Sequence, residues 1–344
     1  MRHFILLVAC VLVACAPGPS APQSLTVMSH DSFAVTDSVI HDFEARNNAK
    51  INFIKSGDAG AALNKAILTR SAPLADVFFG VDNTFLSRAL QADIFEIYDS
   101  PALKNVPGEF QLDSSRRALA IDFGDVCINY DKAFFRSKAL AVPQSLEDLP
   151  KPAYKGLLVT ENPASSSPGL AFLLATVKHY GNPGYLDFWR ALRENGLVVV
   201  DGWETAYYTN FSGSSGNGPQ PMVVSYGTSP AAEVMFSQTA LSQSPTASIL
   251  GADTCFRQIE FAGILKGTPH LGLARRFVDF MLSSEFQSDM PSQMFVYPVV
   301  TGVALPDAFV RFSQSPAQPA TLPPDLIAQN RDAWINAWTN VVLH

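Results

Sequence analysis

From Ser24 onward, short apolar runs alternate with longer stretches in which apolar residues recur at helical spacing. Leu25–Ser29, Ile51–Ser56 and Asp76–Val81 gather β-branched and aromatic residues and predict strands. Thr36–Asn47, Ala59–Thr69 and Asn83–Ala92 predict helices with one apolar face. This β-α-β-α-β order predicts a parallel sheet covered by helices on both faces. A second block follows, with strands over Ala118–Asn129 and Gly156–Thr160 and a helix over Pro168–Tyr180. That helix is well punctuated: Ser167 is the expected N-cap, Pro168 takes the first helical position and Gly181 the C′ position. Tyr185–Glu194 predicts a helix, Val198–Val200 and Met222–Tyr226 strands, and the Gly/Ser/Pro-rich Ser212–Pro221 a flexible loop. Phe256–Leu265 reads as a strand, His270–Leu282 as a helix, and Pro324–Val341 as a closing amphipathic helix carrying Trp334 and Trp338.

The 344 residues leave room for about two domains. With 47% hydrophobic and 16% charged residues, the chain can fill sizeable cores and is neither disordered nor fibrous. A formal charge of −7 supplies no positive field for phosphate backbones, which excludes a nucleic-acid role. At the N-terminus an apolar run from Phe4 to Ala14 is too short to span a bilayer and reads as an export signal over 1–15. Leu12-Val13-Ala14-Cys15 is similar to a bacterial lipobox, which makes Cys15 the expected lipidation site, with a structureless linker over 16–23. An ordinary secretory cleavage nearby is the alternative. Cys127 and Cys255 remain in the body, where a disulfide is open to them, although two separate buried thiols is the reading favoured.

Walker A, G-x-G-x-x-G, G-x-S-x-G, H-E-x-x-H, C-x-x-C and EF-hand patterns do not occur, and the 6 histidines are scattered singly. No metal site and no catalytic residue are expected. Polar and aromatic residues instead bunch at strand ends, where open parallel sheets bind ligands. Asp31, Asp58 and Asp82 follow the first three strands and suit a cation, although each also suits a cap or turn. Ser165-Ser166-Ser167-Pro168 opens the best-marked helix and offers hydroxyls and free N–H groups. Gly202-Trp203-Glu204 offers an aromatic plane beside an acid, against the alternative of a core Trp. Ser225-Tyr226-Gly227-Thr228-Ser229-Pro230 adds a ring, hydroxyls and a helix start.

Six segments together resemble the thiamine-binding subunits of bacterial ABC importers, a branch of the class II periplasmic binding proteins. They are Asp31-Ser32-Phe33, Ala75-Asp76-Val77 with Gly80-Val81-Asp82-Asn83, Ser166-Ser167-Pro168-Gly169-Leu170, Gly202-Trp203-Glu204-Thr205-Ala206-Tyr207, Ser225-Tyr226 with Thr228-Ser229-Pro230, and Tyr297-Pro298-Val299. The resemblance implies an α/β fold of two lobes with a two-strand hinge and the ligand enclosed between them. It places lobe I at 24–120 and 260–320, lobe II at 121–259, and a C-terminal helix at 321–344. It implies that Asp31, Asp58, Ser166, Ser167, Trp203, Tyr226, Thr228, Ser229, Pro230 and Phe295 contact thiamine or its mono- or diphosphate, with no cofactor and no enzymatic activity. The implied partners are a membrane permease and its ATPase subunit. The implied state is a monomer held by a lipid at Cys15 on the outer face of the cytoplasmic membrane or in the periplasm. The chain departs from the family pattern at His30, Ala232 and Phe295, where relatives carry an aromatic residue, a Tyr and a Trp, which weakens the expected aromatic clamp. Ferric iron at Tyr207-Tyr208 is the second binding reading, and an extracellular hydrolase using Ser166 with a distant His is the third.

Overall fold

The computed structural model describes residues 21–215 and 218–344, so the export signal and Cys15 lie outside the described residues. Its ten strands are β1 (Gln23–Ser29), β2 (Ala49–Lys55), β3 (Val77–Asp82), β4 (Leu119–Asp131), β5 (Leu158–Glu161), β6 (Val198–Val200), β7 (Met222–Tyr226), β8 (Thr246–Ile249), β9 (Phe256–Ile264) and β10 (Tyr297–Pro298). They run in the order β2-β1-β3-β9-β4-β7-β5-β6, with β8 and β10 also on β4. β1, β2 and β3 are parallel. All six residues of β3 are buried, which follows from helices covering both faces of a parallel sheet.

Two long strands join this half to the second. β9 lies antiparallel to β3 on one side and to β4 on the other. β4 changes partners along its length: its start pairs with β9 and β10, and from Val126 onward it pairs with β7 and then β8. β5 and β6 then extend the second half in parallel with β7. A chain that enters the second half on β4 and returns on β9 forms two α/β halves with their strand ends facing across a common cleft.

The helix Ser167–Tyr180 forms the centre of the second half and is buried from Ser167 through Val177. It ends where expected, at Gly181 with φ 70°, whose N–H donates to the Val177 carbonyl. Its start is shifted by one residue from the sequence reading: Ser166 holds the extended cap position, Ser167 is the first helical residue, and neither hydroxyl caps the helix. The closing helix Pro324–Val342 packs Trp338 edge-on against Trp189, centroids 5.5 Å apart, and sets the Arg331 guanidinium 5.9 Å from the Phe85 ring.

Two further expectations are corrected. Cys127 and Cys255 are joined by a disulfide with Cα atoms 4.2 Å apart, because the pairing of β4 with β9 ends beside them. The stretch expected as a flexible loop after Phe211 is instead helical over Ser212–Ser215 and bridges Phe211 to Gln220. Ser212 Oγ fastens it by donating to Asp131 Oδ2 at 2.6 Å. Among the described residues no helix is long and apolar enough to cross a membrane.

Candidate functional site

A cleft opens between the halves where the ends of β1 and β2, the start of the Ser167–Tyr180 helix and the ends of β6 and β7 converge. It encloses a volume of about 230 Å³ and is open to solvent on one side. That size suits one small molecule. Phe33, Trp203, Tyr208, Tyr226 and Phe295 give it aromatic walls, and Asp58, Glu204 and Glu260 line it with carboxyls against the single lysine Lys55.

Trp203 is held from three directions. Its backbone N–H donates to Asp58 Oδ2 at 2.9 Å, across the cleft from the first half. Its indole N–H donates to Ser225 Oγ at 2.8 Å, and Ser225 Oγ lies 2.9 Å from Ser229 Oγ. Its ring stacks on Tyr207, centroids 4.9 Å apart and planes 16° from parallel, within a small apolar cluster separate from the main core. The indole is thereby fixed before any ligand arrives. Ser225→Ala would leave the buried N–H without its acceptor and is expected to cost about 1–3 kcal/mol in stability. Urea denaturation of the variant checks this.

Asp58 caps the helix Ala59–Leu68 with Oδ1 accepting from Ala59 N–H at 2.6 Å. Burial raises its pKa, opposed by the N–H groups of Trp203, Ala59 and Ser167 and by the Ser166 hydroxyl. The same helix start donates the Gly60 and Ala61 N–H groups to the Ser165 carbonyl, at 2.9 and 3.3 Å. These bonds clamp the two halves together at one edge of the cleft.

The cleft brings together Asp58, Ser167, Trp203, Tyr226, Ser229 and Phe295 of the residues expected from sequence. It does not bring in Asp31, Ser166, Thr228 or Pro230. Asp31 Oδ1 accepts from Gly57 N–H at 2.8 Å and braces the loop after β2. Ser166 is fully buried, which removes the nucleophile of the hydrolase reading from the cleft. Thr228 donates to the Phe295 carbonyl, which fixes Phe295 at φ 57°, and Pro230 starts the helix Ser229–Met235. The cleft is also lined by Lys55, Glu260, Phe33 and His30, none of them among the expected contacts. Phe33 and His30 carried a signal, in the polar and aromatic cluster after β1 and in the departure at His30, whereas Lys55 and Glu260 carried none.

The adjacent tyrosines diverge. Tyr208 faces the cleft, whereas Tyr207 is buried beneath Trp203 and donates its hydroxyl to Glu233 at 2.6 Å. Their rings stand 90° apart, and burial beside Glu233 pushes the Tyr207 pKa well up, so the two do not act as a pair of phenolates toward one ion. Among the described residues no group of three or more His, Cys, Asp or Glu is placed to hold a metal ion.

A family model described as bacterial extracellular solute-binding protein matches residues 72–330. The chain belongs to that family. The thiamine-binding periplasmic protein of Salmonella typhimurium is 31% identical over 341 residues, covering 96% of this chain and 97% of its own. That of Escherichia coli K12 is 30% identical over 337 residues with the same coverage. A solved periplasmic thiamin-binding protein superposes with a TM-score of 0.83 at 29% identity, over 95% of this chain and 98% of its own. The apo ferric-ion-binding protein A of Pasteurella haemolytica superposes with a TM-score of 0.73 at 19% identity, which speaks to the fold alone. The fold is therefore the class II periplasmic-binding-protein fold, two α/β lobes on crossing strands.

Proposed function

We propose that this protein is an extracytoplasmic receptor that captures thiamine between its lobes and delivers it to an ABC importer. One observation carries the reading: a preorganised indole, Trp203, faces a cleft that is aromatic on its walls and carboxylate-rich on its lining. Thiamine is a flat, permanently cationic molecule, so stacking and cation–π contact with Trp203 and Tyr226 answer its rings. Asp58 and Glu260 answer its charge. Near-full-length relatives named for thiamine binding support the same ligand.

In this reading Asp58, Ser167, Trp203, Tyr226, Ser229 and Phe295 contact the ligand directly. Asp31, Ser166, Thr228 and Pro230 support those contacts from behind. The ligand is thiamine or one of its phosphates. The lobes are those expected at 24–120 with 260–320 and at 121–259, hinged on β4 and β9. The mature protein is a monomer, held by a lipid at Cys15 in the periplasm or on the outer face of the cytoplasmic membrane, and it docks on a permease with an ATPase subunit.

Titrating the purified mature protein with thiamine while following tryptophan fluorescence is expected to give a saturable change at micromolar ligand. Trp203→Phe is expected to remove most of that change, since Trp189, Trp334 and Trp338 are buried and none of them lines the cleft. Absence of binding at micromolar thiamine would overturn the reading.

A further inference from the structure

Glu260 lines the cleft, and behind the lining two further carboxyls stand in a row with it. Glu260 on β9 pairs in register with Asp82 on β3 and with Asp122 on β4, so the three side chains stand side by side on neighbouring strands. Their alignment is built by two irregularities: the register shifts between Phe79 and Val81 on one side and between Ala120 and Asp122 on the other. Gly80, at φ 105°, forms the first of these, and a Cβ there would lie 2.3 Å from the His30 ring that covers Glu260.

All three carboxyls are buried, Asp82 and Asp122 at 0% and Glu260 at 4% exposure. Like charges placed directly opposite across strands are destabilising, and a buried anion without a counter-ion costs several kcal/mol. Among the described residues no lysine or arginine forms an ion pair with any of the three. The one basic group beside them is His30, with Nε2 3.5 Å from Glu260 Oε1. Burial lowers the His30 pKa to about 4, so its imidazole is neutral and does not compensate. Arg257, three residues along β9, is committed to Asp125 at 2.6 Å.

A second, separate feature points to an occupant. Glu260 and Ser167 line the cleft, and the Ser167 hydroxyl, 2% exposed, has only the buried Asp82 carboxyl beside it. His30 Nε2, which also lines the cleft, is buried without a hydrogen-bond partner, and the Asp122 carboxyl has only that of Glu260 to turn to. A protein does not ordinarily leave a buried polar atom such as His30 Nε2 unanswered beside a cleft.

We propose that Glu260, backed by Asp82 and Asp122, is the seat of the ligand's positive charge, and that Glu260 and Asp122 release one shared proton to solvent when the cation settles against Glu260. The inference rests on the thiamine reading of the cleft. Burial, opposed by a hydrogen bond from Glu260, holds Asp122 up to about 7, and burial with repulsion from Asp122 and Asp82 holds Glu260 well above the usual carboxylate range. Two such carboxyls share a proton because they cannot both ionise. The groups that face Glu260 from the packed elements are Asp82, Asp122, Asp58, His30 and Tyr226, with Asp31 and Lys55 acting on His30 in turn. None of them supplies a positive charge at the row. A thiazolium does, and it carries its charge at every working pH.

The sign follows from linkage. A cation favours the ionised pair, so binding below the pair's titration must expel a proton and weakens as pH falls. Calorimetry of the wild-type protein with thiamine, in two buffers of different ionisation enthalpy, is expected to give release approaching one proton near pH 6.5. The association constant is expected to fall up to about tenfold per pH unit from about pH 8 down to about pH 6. Glu260→Gln is expected to flatten that profile and weaken binding at pH 8. Asp122→Asn removes the repulsion and is expected to tighten binding at pH 6 relative to wild type, a gain that a merely structural role does not produce. Tight thiamine binding with no proton exchange and an unchanged profile in both variants would overturn the proposal while leaving the thiamine reading standing. No thiamine binding at any pH would overturn both.

Discussion

Replacing Cys127 and Cys255 together by alanine should lower the unfolding free energy by about 4–5 kcal/mol, with ligand affinity changed less than about threefold. The bridge closes a loop across 128 positions, and restricting a denatured chain over that length is worth just under about 5 kcal/mol in the chain-entropy account. Both half-cystines are 1% exposed, so alanine also leaves a small void. The bond joins β4, beyond its exchange of partners, to the residue before β9. It therefore fastens the second lobe to its own crossing strands and does not touch the cleft. Guanidinium denaturation of oxidised wild type and the double variant checks the size of the effect. An unchanged midpoint would show that the bond contributes nothing to the folded protein's stability. A loss of affinity at a ligand concentration where both proteins are folded would show that it shapes the cleft.

That bridge also marks where the sequence stops being legible. The helices and central strands were readable because their signals are local. Val198–Val200 and Met222–Tyr226 end at the residues expected, and Pro168 and Gly181 bracket one helix. β8 was missed because Thr-Ala-Ser-Ile is a strand only by virtue of lying against β4. The turn of wide helix over Thr205–Asn210, which swings Tyr207 under Trp203, has no sequence signature either.

The cleft divides in the same way. Trp203, Tyr226 and Asp58 stand at strand ends, the position that marked them as candidates, and the cleft brings them together. Asp31 stands at one too, yet its carboxylate is taken by the Gly57 N–H, and no property of the residue itself distinguishes it from Asp58. Glu260 shows the opposite failure. It sits inside the apolar run Phe256–Leu265 with nothing nearby to mark it, and it matters only because two bulges on other strands bring Asp82 and Asp122 alongside. Register between strands far apart in sequence is a tertiary property, so a site made from it leaves no motif.

Gly60→Val should weaken thiamine binding about 100-fold, roughly 2.7 kcal/mol, and abolish compaction on binding. Gly60 opens the helix Ala59–Leu68 in the first lobe, and its N–H donates to the Ser165 carbonyl of the second. A Cβ at this position would stand 2.9 Å from the carbonyl oxygens of both Ala164 and Ser165, backbone atoms that have no rotamer to escape into. The clash therefore belongs to the closed arrangement. In the hinged reading proposed above, parting of the lobes on β4 and β9 would withdraw those carbonyls and turn the side chain to solvent. A ligand that must close the lobes then works against the open state, and its apparent affinity falls by the fraction of protein still able to close. The Phe85 ring, also 2.9 Å from the new Cβ, belongs to the first lobe and meets it in either state, so some stability is lost as well. Gly202→Ala provides the contrast, because its Cβ would meet only the Asp58 carboxylate, at 3.3 Å. The expected order of affinity is wild type, then Gly202→Ala, then Gly60→Val. Small-angle scattering with saturating thiamine should show the radius of gyration falling for the first two alone. Wild-type affinity in Gly60→Val would mean that ligand capture does not require this edge of the cleft to shut.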